Sequence, residues 1–120
     1  MKILIADDEP HIVTALEFLL VASGYEVDVA RNGDEALAQI RSGRPDLVLL
    51  DVMMPARSGY DVCQEVRATP ELARTKIVML SAKGGQWDMG RGMAAGADSY
   101  ITKPFSNREL MDRIRQLLAS

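Results

Sequence analysis

Asp7 and Asp8 close one short apolar run of this chain, Asp51 closes another, Ser81 a third, and Lys103 follows a fourth. The run before Asp51 reads LVLL, so four apolar residues lead straight into a carboxylate. A carboxylate at the end of a buried run loses water, and something else must then stabilise its charge. Several carboxylates in one place aggravate the problem: two unit charges ~4 Å apart repel by ~4 kcal/mol at an effective dielectric of about 20. Either some take up protons or a cation joins them. Mg²⁺ suits such a place, because it binds through one or two carboxylates and keeps waters that a phosphate can replace. With a lysine as fixed positive charge and a serine hydroxyl as donor, the set has the makeup of a phosphoryl-transfer site.

These residues act together only if the elements carrying them set them side by side. Apolar runs at Ile3–Ala6, Val27–Val29, Leu47–Leu50, Ile77–Leu80 and Tyr100–Ile101 predict five strands. Three of the runs are nearly continuous, as expected for strands covered on both faces. Between them, Ile12, Leu16, Leu19 and Leu20 recur at helical spacing, as do Ala36, Leu37 and Ile40, and then Leu110, Ile114, Leu117 and Leu118. Pro10 suits the first turn of the first helix and Gly24 a position past its end. Asn32 with Glu35, and Gly43 beyond, bracket the second, while Ser106 and Glu109 form a capping-box pattern before the last. A third helix is expected over about Gly59–Ala68. A fourth is expected near Gln86–Ala95, weakened by Gly84, Gly85, Gly90 and Gly92.

The pattern is five β-α units, (βα)5, in one domain over residues 1–120. Such alternation implies an α/β fold with a doubly wound parallel sheet and helices on both faces. If the strand order is 2-1-3-4-5, Asp7, Asp8 and Asp51 meet at the C-terminal edge of the sheet, where folds of this kind bind ligands. Taken singly, each residue has a plainer role: Asp7-Asp8 as a cap of the first helix, Ser81 as a strand-end hydroxyl, Lys103 as a solvated charge. Four strand ends bearing complementary chemistry on one edge outweigh those separate readings.

Composition narrows the classes. An apolar fraction of 48% and a charged fraction of 26% describe an ordinary globule, and 120 residues suffice for a self-contained core. Net charge of −3 argues against a general grip on nucleic acid. Cys63 is the single cysteine, which excludes an internal disulfide and a cysteine-rich zinc site. The first apolar run is too short for a signal peptide or a membrane span, so a cytoplasmic protein without membrane contact is expected.

The segments ILIADDEP, DLVLLDVMMP, SGYDV, VMLSAK and AAGADSYITKPF, followed by the closing amphipathic helix, make the chain resemble the receiver domains of two-component response regulators along essentially its whole length. The resemblance implies a five-stranded, flavodoxin-like sheet of order 2-1-3-4-5. It implies that Asp51 accepts a phosphoryl group, as an acyl phosphate, from the phosphohistidine of a sensor histidine kinase or phosphotransfer protein. Asp8, Asp51 and the backbone carbonyl of Met53 would bind Mg²⁺ directly, with Asp7 acting through a metal-bound water. Lys103 and Ser81 would contact phosphoryl oxygens, Ser81 drawing its loop inward, and Ala82 would leave room for the donor. A cis Lys103-Pro104 peptide is usual in relatives. Tyr100 would turn from outward to inward and so report the event on the surface of the fourth helix, fifth strand and fifth helix. Such a domain is a switch rather than an enzyme, catalysing only its own phosphorylation and slow dephosphorylation. It speaks to a downstream effector or output domain, with room for a phosphorylation-dependent homodimer.

The residues that tune phosphoryl lifetime in relatives are here Met53 and Lys83. Met53 cannot hydrogen-bond an attacking water, so slow decay is expected. Trp87 is read either as a partner anchor or as cover for a helix edge, His11 as a solvated helix residue, Cys63 as packing and the Met53-Met54 pair as core and loop packing. The competing function is a Mg²⁺-dependent phosphohydrolase with an aspartate nucleophile. Such enzymes carry Asp-x-Asp after the first strand, whereas this chain has adjacent Asp7-Asp8 there and Val52-Met53 after Asp51. A flavodoxin-like cofactor binder would need a phosphate-cradling loop after the first strand, and none is written there.

Overall fold

The structure, a computed structural model, describes every residue except Lys83, and the expectation for Lys83 lies outside the described residues. The chain runs β1 (Lys2–Ala6), α1 (Pro10–Ala22), β2 (Glu26–Ala30), α2 (Gly33–Gly43), β3 (Leu47–Asp51), α3 (Gly59–Arg67), a 3₁₀ turn (Pro70–Leu72), β4 (Lys76–Ser81), α4 (Gln86–Ala94), β5 (Ser99–Thr102) and α5 (Asn107–Leu118). The strands form a parallel sheet in the order β2-β1-β3-β4-β5, as expected. Each predicted strand is present, extended by a residue at one or both ends.

Strand alternation divides the core in two. Leu4, Val48, Leu50, Ile77 and Met79 face one side, against Ala36 and Ile40 of α2 and Val62, Cys63 and Val66 of α3. Ile3, Ile5, Leu47, Leu49, Val78 and Leu80 face the other, against Val13, Leu16 and Leu20 of α1 and Leu110 and Ile114 of α5. Successive strand residues point to opposite faces, so a sheet covered on both sides needs unbroken apolar runs. That is why β1, β3 and β4 contain so little polar sequence.

The helix ends follow the sequence signals with two corrections. Asn32 accepts from the Glu35 N–H at 2.8 Å and Ser106 from the Glu109 N–H at 3.0 Å, as their spacing predicts. Gly24 takes the left-handed conformation past α1, at φ 94°. For α2, however, Gly43 still belongs to the helix and Arg44 takes the left-handed position, at φ 48°. Arg44 is held there by its own side chain, which donates to the carbonyls of Arg41 and Glu71 at 3.3 and 3.1 Å, and Pro45 follows. At α1 no side chain caps the first turn; the residue before Pro10 is Glu9, and Asp7 accepts instead from the Glu9 N–H and the Lys103 ammonium. The short 3₁₀ turn was not anticipated, because three residues carry no periodic signal.

Arg67 at the end of α3 fastens the far edge of the domain. It donates to the carbonyls of Gly96 and Thr75, each at 2.7 Å, and pairs with Asp98 at 2.7 Å. Asp98 in turn accepts the Ile77 N–H at 2.8 Å. At the other end of α3, the Gly59 N–H donates to the Val52 carbonyl at 2.9 Å. A Cβ on Gly59 would lie 2.9 Å from the Val52 Cα and closer still to the Asp51 carbonyl oxygen. The start of α3 is thus pressed directly on the backbone that carries Asp51. Gly59→Ala should therefore cost about 1–3 kcal/mol of stability through overpacking, read as a lower urea midpoint; a midpoint equal to wild type would mean that this backbone yields at no cost.

Candidate functional site

The register explains how distant residues converge. Ala6 pairs with Leu50 across β1 and β3, so Asp7 and Asp51 follow one step later on adjacent strands. Both continue the rows Ile3–Ile5 and Leu47–Leu49, which face α1 and α5. Ser81 stands at the end of β4, opposite Thr102 of β5, and Lys103 donates its backbone N–H to the Ser81 carbonyl at 2.7 Å. The Lys103-Pro104 peptide is cis.

At this edge carboxylate oxygens of Asp7, Asp8 and Asp51 lie within 4.8 Å of one another. Asp7 and Asp51 are 1% and 4% exposed, whereas Asp8 is open to solvent. The Lys103 ammonium sits 3.1 Å from Asp7 Oδ2 and 3.6 Å from Asp51 Oδ1. Its tighter partner is therefore Asp7, while Asp51 lies just beyond hydrogen-bond range. The other Asp7 oxygen accepts the Glu9 N–H at 2.9 Å, so both oxygens of Asp7 are engaged. Asp51 Oδ1 also receives the Met53 N–H, at 3.4 Å.

Three carboxylates against one ammonium leave an excess of two negative charges. Asp51 registers it: burial first, then the charge of Asp7, push its carboxyl up to about 6, against the pull of Lys103 and the Met53 N–H. Burial alone would depress the Lys103 ammonium. The hydrogen bond it donates to Asp7 and the charges of Asp51, Asp7 and Glu9 outweigh it, so Lys103 holds its proton more tightly than an ordinary lysine. An all-oxygen donor set with two surplus negative charges and one exposed carboxylate fits a hard divalent cation.

Sequence reasoning brought Asp7, Asp8, Asp51 and Lys103 together, and the structure joins them. Ser81 is buried at the end of its strand. Of the Met53-Met54 pair expected to pack, only Met54 does; Met53 is 59% exposed beside a cleft of about 320 Å³ that Asp8, Met54, Pro55 and Ser58 also line. Tyr100 is 7% exposed, so its side chain sits inward. Glu9 was missed: its carboxylate lies 3.6 Å from the Lys103 ammonium. The signal was its place two residues after Asp7, where an aspartate commonly binds the following backbone. Arg57 was missed too. It pairs with Asp34 at 2.7 Å and Glu65 at 2.5 Å, tying the loop after Asp51 to α2 and α3. His11 is exposed and Cys63 buried, as expected.

A doubly wound parallel sheet with an acidic triad and a lysine at its C-terminal edge is compatible with cation-assisted phosphoryl transfer. The family model for the response regulator receiver domain matches residues 3–115. The phosphate regulon transcriptional regulatory protein PhoB of Rhizobium meliloti (strain 1021) is 43% identical over 117 residues, which cover 98% of this chain and 52% of that protein. A solved structure from Chloroflexus aurantiacus J-10-fl, assigned as a response regulator, is 39% identical with a TM-score of 0.94 over 99% of this chain and 98% of its own. The BeF3-activated N-terminal receiver domain of Klebsiella pneumoniae RstA is 30% identical with a TM-score of 0.93 over the full length of both. This chain belongs to the response regulator receiver domain family of two-component systems. It spans about half the length of the curated relative it matches. The family is one of phosphoacceptor switches rather than classical enzymes, and its members bind Mg²⁺ at an acidic aspartate cluster. Among the described residues, no helix is long and apolar enough to cross a membrane.

The Asp51 shift carries a pH dependence whose sign is fixed. Its carboxyl titrates near 3.8 when unfolded and near 6 in the fold, so the folded state holds the proton more tightly. Stability from this group is therefore greatest below the unfolded value and falls as pH rises between the two. In metal-free buffer Asp51→Asn should match wild type near pH 4 and exceed it by about 1–3 kcal/mol at pH 7.5. Urea unfolding at both pH values checks this; a difference that stays constant with pH would place the cost elsewhere.

Proposed function

We propose that Asp51 is the phosphoacceptor of this receiver domain. A carboxylate oxygen of Asp51 attacks the phosphorus of a phosphohistidine on a sensor histidine kinase or phosphotransfer protein. The new O–P bond forms as the N–P bond breaks, and the electron pair leaves with the imidazole, whose other ring nitrogen keeps the proton it carried in the phosphohistidine. The observation that carries this reading is the position of Asp51: buried at a strand end, flanked by two further carboxylates, with an ammonium 3.6 Å away.

Asp8, Asp51 and the Met53 carbonyl would hold Mg²⁺, with Asp7 acting through a metal-bound water. The engagement of both Asp7 oxygens and the exposure of Asp8 support that division of roles. Mg²⁺, when bound, offsets the charge that builds on the phosphoryl oxygens. Lys103 exchanges part of its contact with the carboxylates for a phosphoryl oxygen, supplying a positive charge already in place before transfer. Ser81 donates its hydroxyl to another phosphoryl oxygen and draws the β4–α4 loop toward the site. Tyr100 on the neighbouring strand occupies the inward position that this movement favours, so a local charge event biases the packing of α4, β5 and α5.

That surface is the output face, and its partner is a downstream effector or an output domain. The transcriptional role printed for the Rhizobium relative, twice as long as this chain, favours an output domain, with a homodimer formed on phosphorylation. We read the domain as cytoplasmic, where a kinase would find it.

Intact mass after incubation with acetyl phosphate tests the acceptor. Wild type should gain one phosphoryl group, about 80 Da, only when Mg²⁺ is present, and Asp51→Ala should gain none. A gain that survives Asp51→Ala would falsify the assignment. Lifetime is a separate matter. Met53 offers no polar group to an attacking water, so Met53→Asn should speed loss of the phosphoryl group by about tenfold, less than a positioned general base supplies. The check is decay of the phosphorylated mass after removal of the donor, and an unchanged or slower rate would refute it.

A further inference from the structure

Helix α4 has little hold of its own. Gly92 is its one buried residue, Gly90 and Gly92 both weaken it from within, and its N-cap, Gly85, supplies no side-chain bond. Its place depends on what grips it from outside. One grip comes from Tyr60, the second residue of α3. The Tyr60 ring is buried, and its hydroxyl donates to the carbonyl of Asp88 in the first turn of α4 at 3.3 Å. The same hydroxyl is hydrogen-bonded with the side chain of Tyr100 on β5. Above the ring lies the Arg91 guanidinium, 4.3 Å from the Tyr60 centroid and 5.6 Å from that of Trp87. Beneath α4, the ring of Tyr100 fills the space a side chain would need at Gly92, where a Cβ would come within 2.7 Å of it and 3.1 Å of the Met79 sulfur.

We propose that Tyr60 is a positioning residue of the switch: its hydroxyl and ring face form a latch that fastens α4 and the inward Tyr100 together, with Arg91 closing over it. The inference rests on reading Tyr100 and Ser81 as the reporting pair of a phosphorylated Asp51. A core aromatic needs no hydroxyl, yet this one is directed at α4 and β5, the two elements whose arrangement changes. Burial, and then the bond to Tyr100, push the phenol up to about 12, so it keeps its proton at ordinary pH. A guanidinium over an aromatic face adds attraction that a neutral side chain in place of Arg91 would lose. By linkage, whatever favours the latched arrangement raises the affinity of the distant site for a phosphoryl group by the same factor, and loosening the latch lowers it.

Two measurements decide the matter. The first is amide hydrogen exchange without any phosphoryl donor, in wild type, Tyr60→Phe and Arg91→Ala. Tyr60→Phe keeps the ring and removes only the hydroxyl. Exchange in α4 should quicken about three- to tenfold in both variants, while α1 and α2 keep their wild-type rates. Unchanged exchange in α4, or an equal rise in every helix, overturns the latch. The second is the apparent affinity for beryllofluoride with Mg²⁺, followed by the fluorescence of Trp87, the chain's single tryptophan. It should weaken about three- to tenfold in Tyr60→Phe, and the further loss from Tyr60→Phe should be smaller once Tyr100→Phe is present. Fully additive losses overturn the proposal. Were wild type not to bind beryllofluoride, the phosphoacceptor reading would fail, and the exchange rates would still decide the latch.

Discussion

The surplus of negative charge between β1 and β3 is the constraint on which the rest of the molecule depends. Asp7 and Asp51 are brought together by strand register and held almost out of water, with Lys103 as their shared counter-charge. Nothing in ordinary packing calls for that arrangement. Its cost is borne by the two apolar layers around the sheet, which make the strand ends rigid enough to keep like charges close. Burial first, and then the charge of Asp7, raise the Asp51 carboxyl against the pull of Lys103. A divalent cation would meet a need the folded chain already has.

Much of this was legible in the sequence because the signals concerned were local and strong. Continuous apolar runs marked buried parallel strands, and Asn32-Glu35 and Ser106-Glu109 marked helix starts by side-chain bonds the structure contains. The strand ends then assigned Asp7, Asp8, Asp51, Ser81 and Lys103 to one edge. The readings that failed were those in which two plausible local partners competed. Gly43 and Arg44 could each end α2, and the contact of Arg44 with the Glu71 carbonyl, 27 residues away, settled it. The aspartates before α1 were natural caps, but Asp7 instead binds Glu9 and Lys103. Long-range partners decided both cases, and a local pattern does not contain them.

Glu9, Arg57 and Tyr60 escaped for related reasons. A glutamate beside two aspartates reads as one more exposed acid until Lys103 is placed next to it, 94 residues later in the chain. Arg57 sits in a polar loop where any charge is unremarkable, and only the fold shows it spanning Asp34 and Glu65. Tyr60 falls on the apolar stripe of α3 and so reads as core. It is core, but stripe position says nothing about where a hydroxyl points.

A charge event at Asp51 can reach a distant face only through something with two arrangements of nearly equal energy, since close-packed interiors do not deform gradually. The helices α1, α2, α3 and α5 each bury a stripe of side chains against the sheet, and moving one of them would open a cavity. Helix α4 does not: it buries a glycine and leaves Trp87, Met89 and Met93 exposed. Shifting it uncovers little apolar surface, so the bonds made by Tyr60, Arg91 and Tyr100 are large relative to everything else that holds it. The glycines that make α4 the poorest helix in the sequence are thus what make it movable. Local instability there is the physical condition for carrying a change at one edge of the sheet to a distant surface.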